Sequence, residues 1–400
     1  MNPMIRSIQK VEKALLGTTV EDLPQLIPGI ALAFLIWYLS EGFCNFIGKT
    51  VMGFTSSPIS TIMVTMMIGL LIRNLFGLHP SLVPGTLFCL KKLLRLGIIL
   101  LGIRLSFSDV LKIGAVGIPI IALCVATGLF VSSYATRLLG LPKRLGTLIA
   151  VGTAICGVSA IVTTAPAIKA TDEEVAYAVT NITVFGILAM FLYPYAAEMI
   201  FTGNRILAGL FLGTSIHETA QVAGGAIMYD QYMLAKSSSD LVSSVGATNP
   251  LGSDVALVTK LTRNAFMALV VPLMAFYYAR KGSQTGGRVR FSKDYFPFFI
   301  LGFILLAIFR TAGDMTILGS GRLVFGIVTA ARWKFIVGET AKIGGIMLAA
   351  AMAGVGLGTS FKSFKTLGVK PFLVGLCASF TVGIVSVIAA FLFGPYIKFH

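Results

Sequence analysis

Long apolar stretches, separated by short polar connections, run through almost the whole chain. A helix of about 20 apolar residues matches the thickness of a bilayer, so each stretch predicts one membrane span. Eleven spans can be placed, near residues 26–47, 59–77, 86–107, 113–134, 145–168, 174–199, 205–229, 253–279, 295–311, 336–360 and 371–395. The pattern predicts an all-α polytopic membrane protein with about 10–11 transmembrane helices.

The domain organisation follows from the same pattern. A polar segment at 1–25 is expected to be cytoplasmic or interfacial, and residues 26–400 are expected to form a single integral membrane domain. Residues 229–252, rich in Ser and Gly, predict a longer exposed loop. Residues 311–335 contain several basic side chains in an apolar run too short to span, which predicts an interfacial or partly re-entrant segment.

Composition and charge support this class and orient the chain. Hydrophobic residues make up 56% and charged residues 12%, with a mean hydropathy of +0.89, which excludes a soluble protein. Lys and Arg number 32 against 16 Asp and Glu. In a membrane protein such an excess marks cytoplasmic loops rather than nucleic-acid binding. A cytoplasmic N-terminus places the basic loops at 137–144, 280–293 and 362–370 inside.

Two of the spans are interrupted by small and polar residues. Residues 212–225 contain His217, Glu218 and Gln221, and residues 152–161 open with a similar Gly-Thr-small-Ile sequence. Irregular backbone in a membrane is tolerated only where it is buried or lines a cavity. Paired interruptions indicate a binding site near the middle of the membrane, so we expect two interrupted helices there.

The second interruption carries the sharpest candidates for chemistry. An ionisable side chain inside a membrane usually faces a polar cavity or a partner, and histidine changes charge near neutral pH. His217 and Glu218 are therefore candidate proton-coupling residues, with Thr214, Ser215 and Gln221 beside them. The alternative is a hydrogen-bonded pair that only holds two helices together.

The first interruption predicts an anion site. Thr153, Cys156, Gly157 and Ser159 lie where a broken helix would expose backbone N–H groups and the positive end of its dipole. The alternative is a kinked helix that packs through small residues.

Lys260 and Arg263 are the candidate cations. Either side chain could neutralise an anionic ligand, or both could extend to the membrane interface.

The sequence contains no complete motif for a catalytic or cofactor site. The pair His217-Glu218 would need a second histidine at position 221 for a zinc protease helix, and Gln221 stands there. The segment Gly157-Val158-Ser159-Ala160 falls short of a serine hydrolase elbow. We therefore expect no enzyme activity, no metal and no cofactor.

A second internal similarity leaves an inverted repeat open. Gly102–Phe107 and Gly356–Phe361 share a pattern and lie at opposite membrane faces in the eleven-span arrangement, as an inverted repeat would place them. The two interrupted spans run in the same direction in that arrangement. The two similarities therefore give no single duplication.

The motifs together resemble a family of bacterial inner-membrane proteins named as sulfate exporters and long described as conserved hypothetical. The resemblance covers roughly residues 25 to 395 and rests on residues 91–106, 152–161, 215–222 and 260–263. More distantly, the interrupted helices resemble those of the bile-acid symporter and sodium/proton antiporter superfamily. The resemblance implies an inner-membrane secondary transporter of sulfur oxyanions or small sulfonates.

These observations lead to one function hypothesis with alternatives. We expect a secondary active transporter that exports a small anion and is coupled to protons rather than to sodium. The alternatives are a sodium-coupled organic-anion symporter, a passive anion channel and a membrane sensor. The expected partners are the anion, the lipid bilayer and, through glycine-rich helix faces such as Gly344-Gly345, a second copy of the chain. No nucleic acid is expected.

Overall fold

The computed structural model describes residues 23–51, 57, 59–236, 250–281, 297–320, 323–360 and 368–397. Within them the chain is almost entirely helical and divides into two compact units. One unit contains residues 23–104 and 312–360, and the other contains residues 105–311 and 368–397. The all-α membrane fold with two interrupted helices, expected from the sequence, is confirmed.

The first unit is a helical bundle built around one long helix. Its elements are α1 (Leu23–Asn45) with a π-helical end (Phe46–Val51), α2 (Thr61–Leu75), α3 (Val83–Phe88), a π-helical turn (Cys89–Leu93), α4 (Leu94–Leu101), a short hairpin of β1 (Leu323–Val324) and β2 (Val328–Thr329), and α14 (Ala330–Gly358). Helix α14 packs closely on its neighbours because Gly97 faces Gly344 and Gly69 faces the Ala353 carbonyl.

The second unit carries both interruptions. Its elements are α5 (Phe107–Leu138), α6 (Lys143–Ala154), α7 (Val158–Ala167), α8 (Asp172–Phe201), α9 (Arg205–Ser215), α10 (Thr219–Lys236), α11 (Gly252–Ala265), α12 (Met267–Lys281) and α15 (Val369–Phe393). Helix α13 (Phe299–Ser320) begins in this unit and ends in the first.

Helices α6 and α7 form a hairpin instead of one continuous span. Only residues 168–171 connect α7 to α8, so α7 ends where α8 begins. Leu145, near the start of α6, lines one surface cavity with Glu173 and Tyr177 from the first turns of α8. At the closed end of the hairpin, Gly152 packs against Ile161. The hairpin therefore opens at the N-terminal end of α8.

Helices α9 and α10 form a second hairpin at the other end of α8. Helix α9 begins four residues after α8 ends, and Lys236 at the end of α10 pairs with Glu198 in the last turn of α8, at 2.8 Å. Helix α11 confirms the reversal of direction. Asp230 accepts hydrogen bonds from the backbone N–H groups of Gly252 and Ser253 at the start of α11, whereas Thr219 contacts Asn264 near its end.

The two hairpins thus approach each other from opposite ends of α8, a helix of 30 residues that is about 45 Å long at 1.5 Å per residue. This arrangement corrects the expectation that spans 145–168 and 205–229 run in the same direction. The opposed hairpins are what an inverted repeat requires. Of the other similarity, between Gly102–Phe107 and Gly356–Phe361, the residue Phe361 lies outside the described part of the chain.

Seven of the eleven expected spans appear, within the described residues, as helices long and apolar enough to cross a membrane. Two others, 145–168 and 205–229, are the hairpins. Of the remaining two, α2 has only 15 residues, and the continuous helical stretch Val83–Leu101 contains the three basic residues Lys91, Lys92 and Arg95.

Residues 311–335 also differ from expectation. Helix α13 continues to Ser320 and α14 begins at Ala330, so only a short β-hairpin joins them. The Trp333 indole N–H donates to Asp314 Oδ1 at 2.8 Å, and its ring packs on Gly313, which ties the two helices together. Arg322 lies outside the described residues. The predicted loop at 229–252 starts later than expected, because α10 reaches Lys236; residues 237–249 lie outside the described part of the chain.

The hairpin topology can be tested by accessibility of single cysteines. In a variant whose five native cysteines are replaced, Arg144→Cys and Asp172→Cys should react with an impermeant maleimide from the same side of the membrane. Thr202→Cys and Lys236→Cys should both react from the opposite side. Reaction of Arg144→Cys and Asp172→Cys from different sides would mean that α6 and α7 cross the membrane as one span.

Candidate functional site

The first hairpin tip is formed by Ile155, Cys156 and Gly157, between α6 and α7. Gly157 has φ +65° and ψ −128°, a conformation that residues with a Cβ atom strongly disfavour. A Cβ atom placed there would lie 2.5 Å from Glu218 Cγ. The glycine thus permits both the reversal of the chain and the close approach of the second hairpin.

The second tip is formed by Ile216, His217 and Glu218, between α9 and α10. Ile216 is extended, at φ −80° and ψ 140°, which ends α9. The Glu218 backbone N–H donates to Gln221 Oε1 at 3.2 Å, so the glutamine side chain satisfies an N–H group at the start of α10. Gly213 and Gly209 pack directly on the backbone of α11, which brings this tip beside Lys260 and Arg263.

The Lys260 ammonium joins the two tips. Its side chain is fully buried, and its Nζ donates to three backbone carbonyl oxygens: Ile155 at 3.0 Å, Ile216 at 2.9 Å and His217 at 2.5 Å. An ammonium has three donors, so these three acceptors use all of them. One acceptor belongs to the first tip and two belong to the second.

Arg263, one helical turn further along α11, makes the same kind of contact with both hairpins. Its guanidinium donates to two carbonyls of α6, that of Thr153 and, at 2.8 Å, that of Ala154. It also donates to two carbonyls of the second hairpin, that of Thr214 and, at 3.5 Å, that of Ile216. The last carbonyls of a helix have no intrahelical partner and carry the negative end of its dipole. Lys260 and Arg263 therefore neutralise the C-terminal ends of α6 and α9.

His217 is fully buried and hydrogen-bonded at both ring nitrogens. Nδ1 lies 3.2 Å from the Ser215 carbonyl, and Nε2 lies 2.6 Å from Ser379 Oγ in α15. These contacts fit a neutral ring that donates from Nδ1 to the carbonyl and accepts at Nε2 from the hydroxyl. The histidine connects the second tip to α15.

Glu218 is the acidic side chain at the meeting of the tips. It is only partly buried, and its carboxylate faces the backbone N–H of Val158, the first residue of α7. The positive end of the α7 dipole lies there, so this helix start already faces a carboxyl group from the chain itself. Val158, Ser159, Glu218 and Thr219, at the start of α7 and around the start of α10, are the residues here that are not buried; we call these four residues the tip face.

All eleven residues selected from the sequence lie at these tips or on the part of α11 between them: Thr153, Cys156, Gly157, Ser159, Thr214, Ser215, His217, Glu218, Gln221, Lys260 and Arg263. Most of their polar groups are turned inward. Thr214 Oγ1 and Ser215 Oγ donate to carbonyls of their own helix, at 2.7 Å and 2.6 Å, and Cys156 Sγ lies 3.8 Å from Met267 Sδ.

Sequence reasoning missed three residues of this site. Ser379 and Ser386 of α15 bind His217 and Thr214, and Asn264 Nδ2 donates to Thr219 Oγ1 at 3.0 Å. The signal was present for the serines, because they lie seven residues apart on one face of a largely apolar helix. Asn181 of α8, another buried amide, donates to the Pro371 carbonyl of α15 at 2.5 Å.

Buried polar atoms without a hydrogen-bond partner also cluster here. Gln221 Nε2, Asn264 Oδ1, Thr153 Oγ1 and Thr259 Oγ1 belong to this group. For metals, no set of three His, Cys, Asp or Glu side chains lies close enough to hold an ion within the described residues.

Comparison with known proteins identifies relatives along almost the whole chain. A sequence profile of the family described as conserved hypothetical protein 698 matches residues 28–375. A UPF0324 membrane protein of Bacillus cereus is 30% identical, with 92% of this chain and 94% of that protein covered. One of Fusobacterium nucleatum is 29% identical, with 90% and 96% covered, and one of Corynebacterium glutamicum is 32% identical, with 80% and 81% covered.

Among solved structures, the sodium proton antiporter MjNhaP1 of Methanocaldococcus jannaschii aligns with 92% of this chain and 99% of its own. The identity is 13% and the TM-score is 0.25. A TM-score this low does not relate the two folds helix by helix.

Alanine substitutions at two glycines test how much the contact between the tips contributes to stability. Gly157 and Gly140 have almost the same φ, +65° and +66°, but only Gly157 has Glu218 in the space of a Cβ atom. Gly140→Ala should lower the free energy of unfolding by about 1–2 kcal/mol. Gly157→Ala should cost more, because Glu218 must also move and because ψ −128° lies outside the left-handed region that alanine can adopt. Unfolding midpoints of the purified variants in detergent measure both; equal losses would mean that the tip contact contributes nothing.

Proposed function

The chain belongs to the conserved hypothetical protein 698 family of membrane proteins, and we propose that it is a secondary active transporter of a small anion, coupled to protons. The observation that carries the proposal is the meeting of two opposed hairpins, with Glu218 on the second tip and with the buried cations Lys260 and Arg263 of α11 bound to both hairpins. Half-helix ends that meet inside a membrane protein are a recurring way to bind and move ions.

The tip face is the proposed anion site. Helix N-termini bind anions through free N–H groups and the dipole, and α7 offers the N–H groups of Val158, Ser159 and Ala160. The Ser159 hydroxyl is exposed at the same turn, and Thr219 opens α10 beside it. Lys260 and Arg263 lie behind this face and give it a positive environment without contacting solvent.

Glu218 couples the anion to a proton in this scheme. Its carboxylate occupies the start of α7, where the transported anion would bind, and two anions at one helix end repel each other. Protonation of Glu218 removes that charge and frees the N–H groups. Anion and proton therefore bind together and cross the membrane together. His217, with both nitrogens engaged, serves to fix the tip rather than to carry the proton.

Export is compatible with this coupling when the anion is divalent, as sulfate and sulfite are. A divalent anion with one proton still carries one net negative charge. An inside-negative potential of about 100 mV drives that charge outward with about 2.3 kcal/mol. A pH difference of about one unit opposes it with only about 1.4 kcal/mol. The electrical term is the larger of the two.

Sodium coupling is the alternative that the site favours less. A sodium ion at interrupted helices is usually held by free carbonyls of the helix ends. Here the carbonyl ends of α6 and α9 are taken by Lys260 and Arg263.

We further propose that the α6–α7 hairpin enters from the cytoplasm of a bacterial inner membrane. Arg137, Lys143 and Arg144 lie at its open end, which fits the positive-inside rule, and the N-terminus is then cytoplasmic.

Transport should be visible in proteoliposomes. We expect uptake of radiolabelled sulfite, sulfate or a small sulfonate to follow an imposed pH gradient, to exceed equilibrium and to be unchanged when choline replaces sodium at fixed pH. Uptake that only equilibrates would indicate a channel, and binding without uptake would indicate a sensor. Uptake that requires sodium would overturn the proposed coupling.

Glu218→Gln should separate anion transport from proton coupling. The amide cannot become charged, so anion exchange should continue while acceleration by a pH gradient is lost, by tenfold or more. Glu173→Gln is the matched control, because Glu173 is an exposed carboxylate in the first turn of another helix, α8. It should retain the full pH response. A Glu218→Gln variant that responds to the pH gradient like the original protein would contradict the role of Glu218.

A further inference from the structure

The Lys260 ammonium occupies a cation site whose other components are all backbone. Three carbonyl oxygens, from Ile155, Ile216 and His217, converge on one point at 2.5–3.0 Å. The site is fully buried and is formed only where both hairpins are in place, because no single hairpin supplies all three oxygens.

The ligands of this site are unusual for a lysine. Buried lysines are normally compensated by carboxylates, and one carboxylate, that of Glu218, is nearby; yet the three hydrogen bonds of Nζ all go to backbone carbonyls. Uncharged carbonyl oxygens at the ends of unwound helices are the ligands that transport proteins offer to free monovalent cations. The lysine therefore stands where a free cation would bind.

We propose that Lys260 is a tethered cation in a built monovalent-cation site, and that the site accepts a free ammonium-type ion when the side chain is shortened. The tether explains how the tips can meet without a dissolved cation. The transport cycle consequently needs no sodium, and the attraction that holds the hairpins together does not vary with the salt outside. This inference concerns the cation site alone and does not require the transported anion to be known.

The geometry also predicts which ions fit. The site was formed around an ammonium that donates three hydrogen bonds, so ammonium and methylammonium can restore them. Choline has no N–H donor and is too large. Lys260→Ala leaves room for the free ion because it removes the whole chain beyond Cβ, whereas Lys260→Met fills the same space with an uncharged side chain.

The test measures the unfolding midpoint of purified Lys260→Ala in detergent against ammonium chloride, with choline chloride at equal ionic strength as the reference. An ion that binds only the folded state raises the midpoint with its concentration. We expect a saturable rise with ammonium and methylammonium for Lys260→Ala. We expect none for the original protein, for Lys260→Met or for Lys143→Ala, which removes an exposed lysine at the far end of the α6–α7 hairpin.

Two outcomes would overturn the proposal. One is a folded Lys260→Ala whose midpoint responds equally to ammonium and to choline. The other is a Lys260→Met as stable as the original protein, which would mean that no cation is needed. If Lys260→Ala cannot be purified, its yield can be measured in membranes prepared with and without about 100 mM ammonium, beside the yield of Lys260→Met. A yield that ammonium raises for Lys260→Ala alone supports the site. A yield that ammonium raises for neither variant contradicts it.

A transport assay separates this inference from the proposed function. Suppose that ammonium stabilises Lys260→Ala but that the original protein transports no anion. The cation site would then be supported and the proposed function would be wrong. Restoration of transport in Lys260→Ala by ammonium, from a loss of tenfold or more, would support both.

Discussion

The structure of the second unit depends on one electrostatic constraint, the neutralisation of two helix ends inside the membrane. Helices α6 and α9 both stop near the middle of the unit, and their last carbonyls would be left without partners in a medium that supplies no water. From one face of α11, Lys260 and Arg263 donate to six carbonyls at these ends, three in the last turns of the two helices and three in the tip residues that follow. Two buried cations and two negative helix ends are each costly alone, and together they stabilise the meeting of the hairpins.

The same constraint divides the site into a fixed part and an accessible part. The carbonyl side is closed, because both cations are fully buried and are hydrogen-bonded to carbonyl oxygens of both hairpins. The N–H side, at the start of α7, is partly open and is held by Glu218, a side chain that can lose its charge by taking up a proton. In the proposed transport cycle, the groups that change their charge are therefore expected on the tip face, whereas the contacts that hold the hairpins together lie behind it.

The sequence predicted the composition of the site better than its geometry. Hydroxyl, histidine and glutamate residues in an apolar stretch are costly, so 152–161 and 212–225 stood out. A stretch of 24 apolar residues has the same composition whether it crosses the bilayer or turns back, so the hairpins were read as spans. Only contacts distant in sequence, such as Lys236 with Glu198 and Asp230 with Gly252, reveal the reversal. The role of Lys260 was equally hidden, because its partners are backbone atoms that any sequence possesses.

The central claim is that Lys260 holds both tips at once, and hydrogen–deuterium exchange measures this most directly. In Lys260→Met, peptides covering 152–160 and 213–220 should both exchange faster than in the original protein, because each loses a carbonyl partner at the same position. Peptides from α14 in the first unit should be unchanged. Faster exchange in only one of the two tips, or in neither, would contradict the account.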